Sequence, residues 1–88
     1  MDLTDYRGKI DEIDSQILRL FEARMALSGK IAAWKQKNGQ PVFQPEREAQ
    51  KLEHLKAQAD PALLPYDRKL LEALFSLSRE YQESRSEP

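Results

Sequence analysis

The chain has 88 residues, enough for one small domain, and its 14 basic and 15 acidic side chains leave a formal net charge of −1. That balance excludes a general affinity for nucleic acid or an anionic membrane, which reward a basic excess, so recognition by charge has to be local. With no cysteine, disulfides, thiolate metal sites and cysteine nucleophiles are excluded as well.

Short polar side chains at Asp2 to Thr4 can cap free amides, so a first helix is expected to start there. Its apolar residues recur at steps of three and four, as Ile10, Ile13, Ile17, Leu20, Leu27 and Ile31. It should end after Lys37, at Asn38-Gly39, because glycine suits a left-handed cap and Pro41 cannot continue the helix. Such a helix of about 33 residues is roughly 50 Å long at 1.5 Å per residue. A compact domain of this size has a radius of gyration of only ~12 Å. The helix is too long for a globular monomer.

A second, shorter helix is expected from about Pro45 to Gln58, with Pro45 in its first turn and a thin stripe of Ala49, Leu52 and Leu55. Asp60-Pro61 and Pro65 then punctuate a turn. A third helix follows from about Tyr66 to Ser84, carrying Leu70, Leu71, Leu74, Phe75, Leu77 and Tyr81 on its apolar face. The organisation expected is a single domain over 1–88, with a core of about 5–83 and a polar tail, 84–88, that is disordered.

Two short helices cannot cover the long one. An uncovered apolar stripe marks an interface, and a second copy of the chain in two-fold symmetry is the commonest solution. The expected fold class is therefore all-α, with three helices in the order long, short, medium, assembled as a homodimer. Gly29 either permits close helix approach or is simply a tolerated helix glycine costing ~1 kcal/mol. The start, MDLTDYRGK, lacks a signal peptide's apolar segment and no later run could span a bilayer, which points to the cytoplasm.

Two cations interrupt the stripe of the long helix. Arg24 and Lys35 are 11 residues apart, three turns plus about 20°, so they share a face some 16 Å apart along the axis. Long side chains can close that gap around a small anion, Arg24 with a planar fork and Lys35 with a point charge. Burying them uncompensated is costly, so acids or a ligand must answer them. Arg24 fits an internal salt bridge as well as a ligand contact, and Lys35 could simply favour the helix dipole. Arg7, 17 residues before Arg24 and about 100° around the helix, cannot easily serve the same pocket within one subunit.

In the second helix Glu46 and Glu48 suit the N-terminal dipole, and Arg47 is most simply solvated. Ser78 and Gln82 in the third helix form an uncharged pair, four residues apart, at the edge of the buried stripe. They either taper that stripe to solvent or complete a polar pocket. His54, the single histidine, lies on a polar part of the second helix. The sequence has no metal cluster, nucleophile–histidine pairing or glycine-rich phosphate loop. An enzyme built on it would need no metal, covalent intermediate or general base.

The order IDEIDSQILRLFEARM, then Lys35 in IAAWKQKNGQPV, then PERE, then Ser-x-x-x-Gln in SREYQ resembles the all-helical (AroQ-type) chorismate mutases over about residues 5 to 83. The resemblance implies an intertwined homodimer with two equivalent sites. It implies the pericyclic conversion of chorismate to prephenate in aromatic amino acid biosynthesis, without cofactor or metal. Carried over by position, Arg24 is similar to the arginine that binds a substrate carboxylate, and Arg7 to the one that reaches across from the partner subunit. Lys35 is similar to the lysine on a carboxylate and on the ether oxygen of the breaking bond, and Gln82 to a second donor to that oxygen. Ser78 matches a serine that helps hold a carboxylate, Glu48 an acid that accepts from the ring hydroxyl, and Arg47 a further arginine of the site.

One departure is visible: Gln44 in VFQPERE stands where family members often carry aspartate, which puts local charge and affinity in question. Isochorismate-pyruvate lyases share the resemblance. A helical dimer that binds or regulates another shikimate-pathway enzyme is a rival from a different class.

Overall fold

A computed structural model describes residues 1–85 as three helices, α1 (Leu3–Lys37), α2 (Pro45–Gln58) and α3 (Leu64–Arg85). The expected all-α class and the long, short, medium order are both present. Asp2 opens α1 through a capping box, its carboxylate accepting from the Asp5 amide while Asp5 accepts from the Asp2 amide, each at 3.0 Å. The end is equally well defined. Gly39 takes φ of 66°, Gln40 N–H donates to Lys35 C=O at 2.8 Å and Gly39 N–H to Gln36 C=O at 3.5 Å. This is a Schellman cap, and it folds the chain back beside the last turn of α1.

Gln44 is the N-cap of α2 but makes no side-chain capping bond, and Pro45 begins the helix. The turn at Asp60 is held by its carboxylate, which accepts from the Ala62 amide at 2.9 Å, and by its carbonyl, which accepts from Leu63. The third helix differs from expectation at both ends. It starts at Leu64 with Pro65 inside the first turn, where no N–H is needed. It also runs through Ser84 and Arg85. Arg85 stacks on the Tyr81 ring, 5.5 Å from its centroid, and Ser84 Oγ donates to the Tyr81 carbonyl. The rest of the expected tail, 86–88, lies outside the described residues.

The molecule measures 54 × 26 × 14 Å with a radius of gyration of 16.2 Å, well above the ~12 Å of a compact domain of this length. Helix α3 packs against the C-terminal half of α1, and α2 packs against α3. A Cβ on Gly29 would lie 3.2 Å from Arg85 Nε and 3.4 Å from Tyr81 Cε2, so glycine serves close approach of the two helices. The buried apolar core is small, Ala32 and Phe75, beside buried Ser28, Lys35, Ser78 and Gln82.

The apolar stripe of α1 does not lie in this core. Ile10, Ile13, Ile17 and Leu20 are 50–72 % exposed, and Leu27 and Ile31 are exposed as well. Leu70 and Leu77 on α3 are also exposed, because their helix turns its Leu71, Leu74, Phe75 side inward.

Candidate active site

A cavity of about 380 Å³ opens between the C-terminal half of α1, the first turns of α2 and the last turns of α3. It gathers Arg24 and Lys35 from α1, Gln44, Arg47 and Glu48 from the start of α2, and Ser78 and Gln82 from α3. The chain thus brings together every expected site residue except one. Arg7 sits on the bare half of α1, exposed and 17 residues from Arg24, which is about 26 Å along the axis.

Lys35 is 9 % exposed, and its Nζ donates to Val42 C=O at 2.8 Å and to Gln82 Oε1 at 2.9 Å. The Schellman cap is what makes the first of these possible, since it returns the 40–44 segment over the lysine. Gln82 Nε2 donates to Ser78 Oγ at 3.1 Å, and Ser78 Oγ lies 2.8 Å from Ser28 Oγ. A continuous chain of hydrogen bonds therefore crosses from α1 to α3 and back, with the amide of Gln82 fixed at both ends. The Ser78–Gln82 pair completes a polar pocket rather than tapering the helix.

Lys35 is also more than a dipole lysine. Burial pushes its ammonium below the ordinary lysine range, and the nearby charge of Glu48 opposes that shift. Arg24, half-buried, makes no ion pair among the described residues, and its Nη1 donates to Leu74 C=O at 3.4 Å. Among the described residues, the internal salt bridge is therefore not formed. Arg47 lines the cavity from an exposed position.

Three further participants emerge. Ser28 is buried and anchors Ser78; its signal was a hydroxyl four residues beyond Arg24 and seven before Lys35, on the buried side of α1. Lys51 lines the rim four residues after Arg47, on the same face of α2. Arg79 donates to both carboxylate oxygens of Glu48 and stacks 5.1 Å from the Phe43 ring centroid. The two are 31 positions apart, and nothing in the sequence announces that pair.

In total the cavity wall carries five cations, Arg24, Lys35, Arg47, Lys51 and Arg79, against the single acid Glu48. A chain of net charge −1 has concentrated positive charge at one place. Low-dielectric walls strengthen its hold on an anion. His54, on the polar part of α2, is exposed. Among the described residues, no group of three or more His, Asp or Glu side chains forms a metal site.

The chorismate mutase type II family model matches residues 6–83. Among curated proteins, a T-protein of Haemophilus influenzae is 32 % identical over 65 residues, 74 % of this chain and 17 % of that protein. A T-protein of Enterobacter agglomerans is 33 % identical over 66 residues, 75 % of this chain and 18 % of that protein. A chorismate mutase of Methanocaldococcus jannaschii is 46 % identical over 46 residues, 52 % of this chain and 46 % of that protein. The matched segment spans under a fifth of the two T-proteins and just under half of the archaeal enzyme. No solved structure matches. With the model match running from Tyr6 to Glu83, through every residue of the cavity, the chain belongs to the chorismate mutase type II family.

Proposed function

We propose that this chain is a chorismate mutase, rearranging chorismate to prephenate in aromatic amino acid biosynthesis, and that it works as a cytoplasmic homodimer. The observation that carries the reading is the convergence of Arg24, Lys35, Ser78 and Gln82 on one cationic cavity in a chain of this family. No helix of the described residues is long and apolar enough to cross a membrane, in keeping with that location.

Chorismate carries two carboxylates, and its rearrangement is a unimolecular step without proton transfer. Arg24 binds one carboxylate, and Lys35 and Ser78 help to hold the substrate's anionic groups, so the substrate is clamped in its compact, reactive shape. The entropy of that shape is thereby lost on binding rather than during the reaction. As the carbon–oxygen bond lengthens, negative charge grows on the ether oxygen. Donors from Lys35 and Gln82, already fixed by their mutual hydrogen bond, stabilise that charge more than the ground state. Glu48 accepts from the ring hydroxyl, and Arg47 and Gln44 line the approach.

The homodimer supplies what the single chain lacks. A bare apolar stripe from Ile10 to Leu20 needs a cover. A groove of about 590 Å³ between α2 and α3, lined by Leu52, Leu55 and Leu64 together with charged side chains of both helices, offers a seat for it. Seating the bare half of α1 on a second copy brings its Arg7 toward the other copy's cavity, where it adds a further carboxylate contact.

The deciding experiment is to incubate purified protein with chorismate and follow its disappearance together with prephenate formation. Failure to consume chorismate removes the mutase reading. Light scattering on the same sample should give twice the chain mass.

A further inference from the structure

Glu48 is the cavity's single acid, and both of its oxygens are occupied by one guanidinium. Arg79 comes from α3, lines the same cavity, and lies over Phe43 in the loop that leads into α2. It therefore joins three segments at one point: the 38–44 loop, the first turn of α2 and α3. No direct packing of α2 on α1 stands behind that junction, since α2 rests on α3 alone.

Five cations around one carboxylate create a problem of choice. The charged groups facing Lys35 across the cavity are Arg24 from α1, Arg47, Glu48 and Lys51 from α2, and Arg79 from α3. Glu48 already acts on the Lys35 ammonium through its charge. An unrestrained glutamate would swing toward Lys35 or Arg24 and neutralise the groups an anionic substrate needs. Arg79 Nη1 alone meets both oxygens of Glu48, and a charge-assisted pair that engages both oxygens restrains the direction of the carboxylate as well as its charge.

We propose that Arg79 is a positioning residue that sequesters Glu48 at the α2–α3 seam, holding it as an oriented hydroxyl acceptor and keeping it off Lys35 and Arg24. The inference rests on the mutase reading for the hydroxyl, but the sequestration itself is a property of the unliganded protein. Part-burial of the pair, with both side chains less than one-third exposed, keeps water from replacing either partner.

Two measurements on the full chain test it. In the first, the side-chain carbon next to Lys35 Nζ is followed by NMR through an alkaline titration in isotopically labelled protein, with no substrate present. Arg79→Gln should move the Lys35 titration upward, because the freed Glu48 charge then acts on it in full. Glu48→Gln should move it downward; because Arg79→Gln also removes a cation from the cavity, its upward shift with Glu48 present should clearly exceed the one it gives on Glu48→Gln, and equal shifts in the two backgrounds overturn the proposal. A Lys35 titration unchanged by Arg79→Gln overturns the proposal. Should Arg79→Gln lose its helical circular dichroism, Arg79→Lys, which keeps the charge but not the guanidinium that lies over Phe43, gives the same comparison at a smaller shift.

In the second, kinetics with chorismate should show Arg79→Gln raising KM on the order of tenfold with a smaller change in kcat, as for loss of a charged hydrogen-bond partner. Arg79→Lys should recover only part of that loss. A fall in kcat with KM unchanged counts against the proposal. If wild-type protein is inert toward chorismate, the mutase reading fails on its own, and the NMR titration still decides whether Arg79 restrains Glu48.

Discussion

The two halves of α1 carry one helical stripe into opposite environments. From Ile10 to Leu20 the stripe is purely aliphatic and lies open, whereas from Arg24 to Lys35 it contains two cations and forms a cavity wall against α3. A hydropathy ranking would bury the first half and expose the second. The inversion occurs because α3, with 22 residues, covers roughly 33 Å and docks where Gly29 permits close approach. The aliphatic half is left uncovered, and in the proposed dimer a second copy would cover it while the polar half holds the substrate.

The contrast breaks most completely at the open half. Replacing Ile17 with glutamate puts a charge on the bare stripe without touching the cavity. Burial of an isoleucine contributes about 1.5–3 kcal/mol, and two-fold symmetry doubles it, so dimer stability should fall by roughly 3–6 kcal/mol. Light scattering over a dilution series should show dissociation at concentrations where wild type remains dimeric. An unchanged mass would mean that this face is not the interface.

At the closed half, Lys35→Ala removes one of the two donors proposed to meet the developing charge. Turnover should fall by a factor corresponding to about 2.7–4 kcal/mol of barrier, with the dimer and its circular dichroism retained. A mixing experiment joins the halves. Arg7→Ala and Lys35→Ala proteins, each nearly inactive, should recover about a quarter of wild-type activity after subunit exchange, because half the dimers then hold one intact site. No recovery would show that Arg7 does not act across the interface.

What the sequence made legible follows the same division. Helix number, order and most boundaries could be read because caps and prolines are local: Asp2, Gly39 and Pro45 act on their immediate neighbours. Arg24 and Lys35 were visible as charges in an apolar pattern, although periodicity left their role open. The exposed state of Leu27, Ile31, Leu70 and Leu77 was not legible, because an apolar position does not state which chain will cover it. Nor was the Glu48–Arg79 pair, which depends on how α2 lies against α3, a matter of loop geometry between them. Helix α3 starts at Leu64, two residues before the expected Tyr66, since Pro65 signals a break as readily as a first turn.

The polar half has a pH signature that the apolar half lacks. Lys35 titrates below 10.5 in the folded chain because burial disfavours its charged form. The unfolded chain holds that proton more tightly, so ν_U exceeds ν_N between the folded value and 10.5, and this lysine's contribution to stability rises with pH across that window. With the proposed role of Lys35, activity moves the other way, since a deprotonated amine would neither attract a carboxylate nor stabilise the ether oxygen as a cation. The ratio kcat/KM should fall on an alkaline limb set by free-enzyme Lys35. Comparing denaturation of wild type and Lys35→Gln across the same range isolates the stability term from other lysines and tyrosines. Parallel slopes for stability and activity would remove Lys35 as their common cause.

The smallest expected effect sits where the polar half hands over to α2. Gln44 occupies the N-cap without a capping bond, leaving the first amides of α2 without side-chain acceptance. Aspartate there would cap the helix and meet its positive end, worth about 0.5–1 kcal/mol, as a modest rise in melting temperature. The same substitution would add a second acid to a cavity that now has one. If its carboxylate caps the helix, that charge is held by backbone amides and KM for chorismate should change little. If it turns into the cavity instead, it competes for Lys35 and Arg24, KM rises, and the melting temperature does not. The two readouts move in opposition, so Gln44→Asp reports whether this position belongs to the fold of α2 or to the electrostatics of the site.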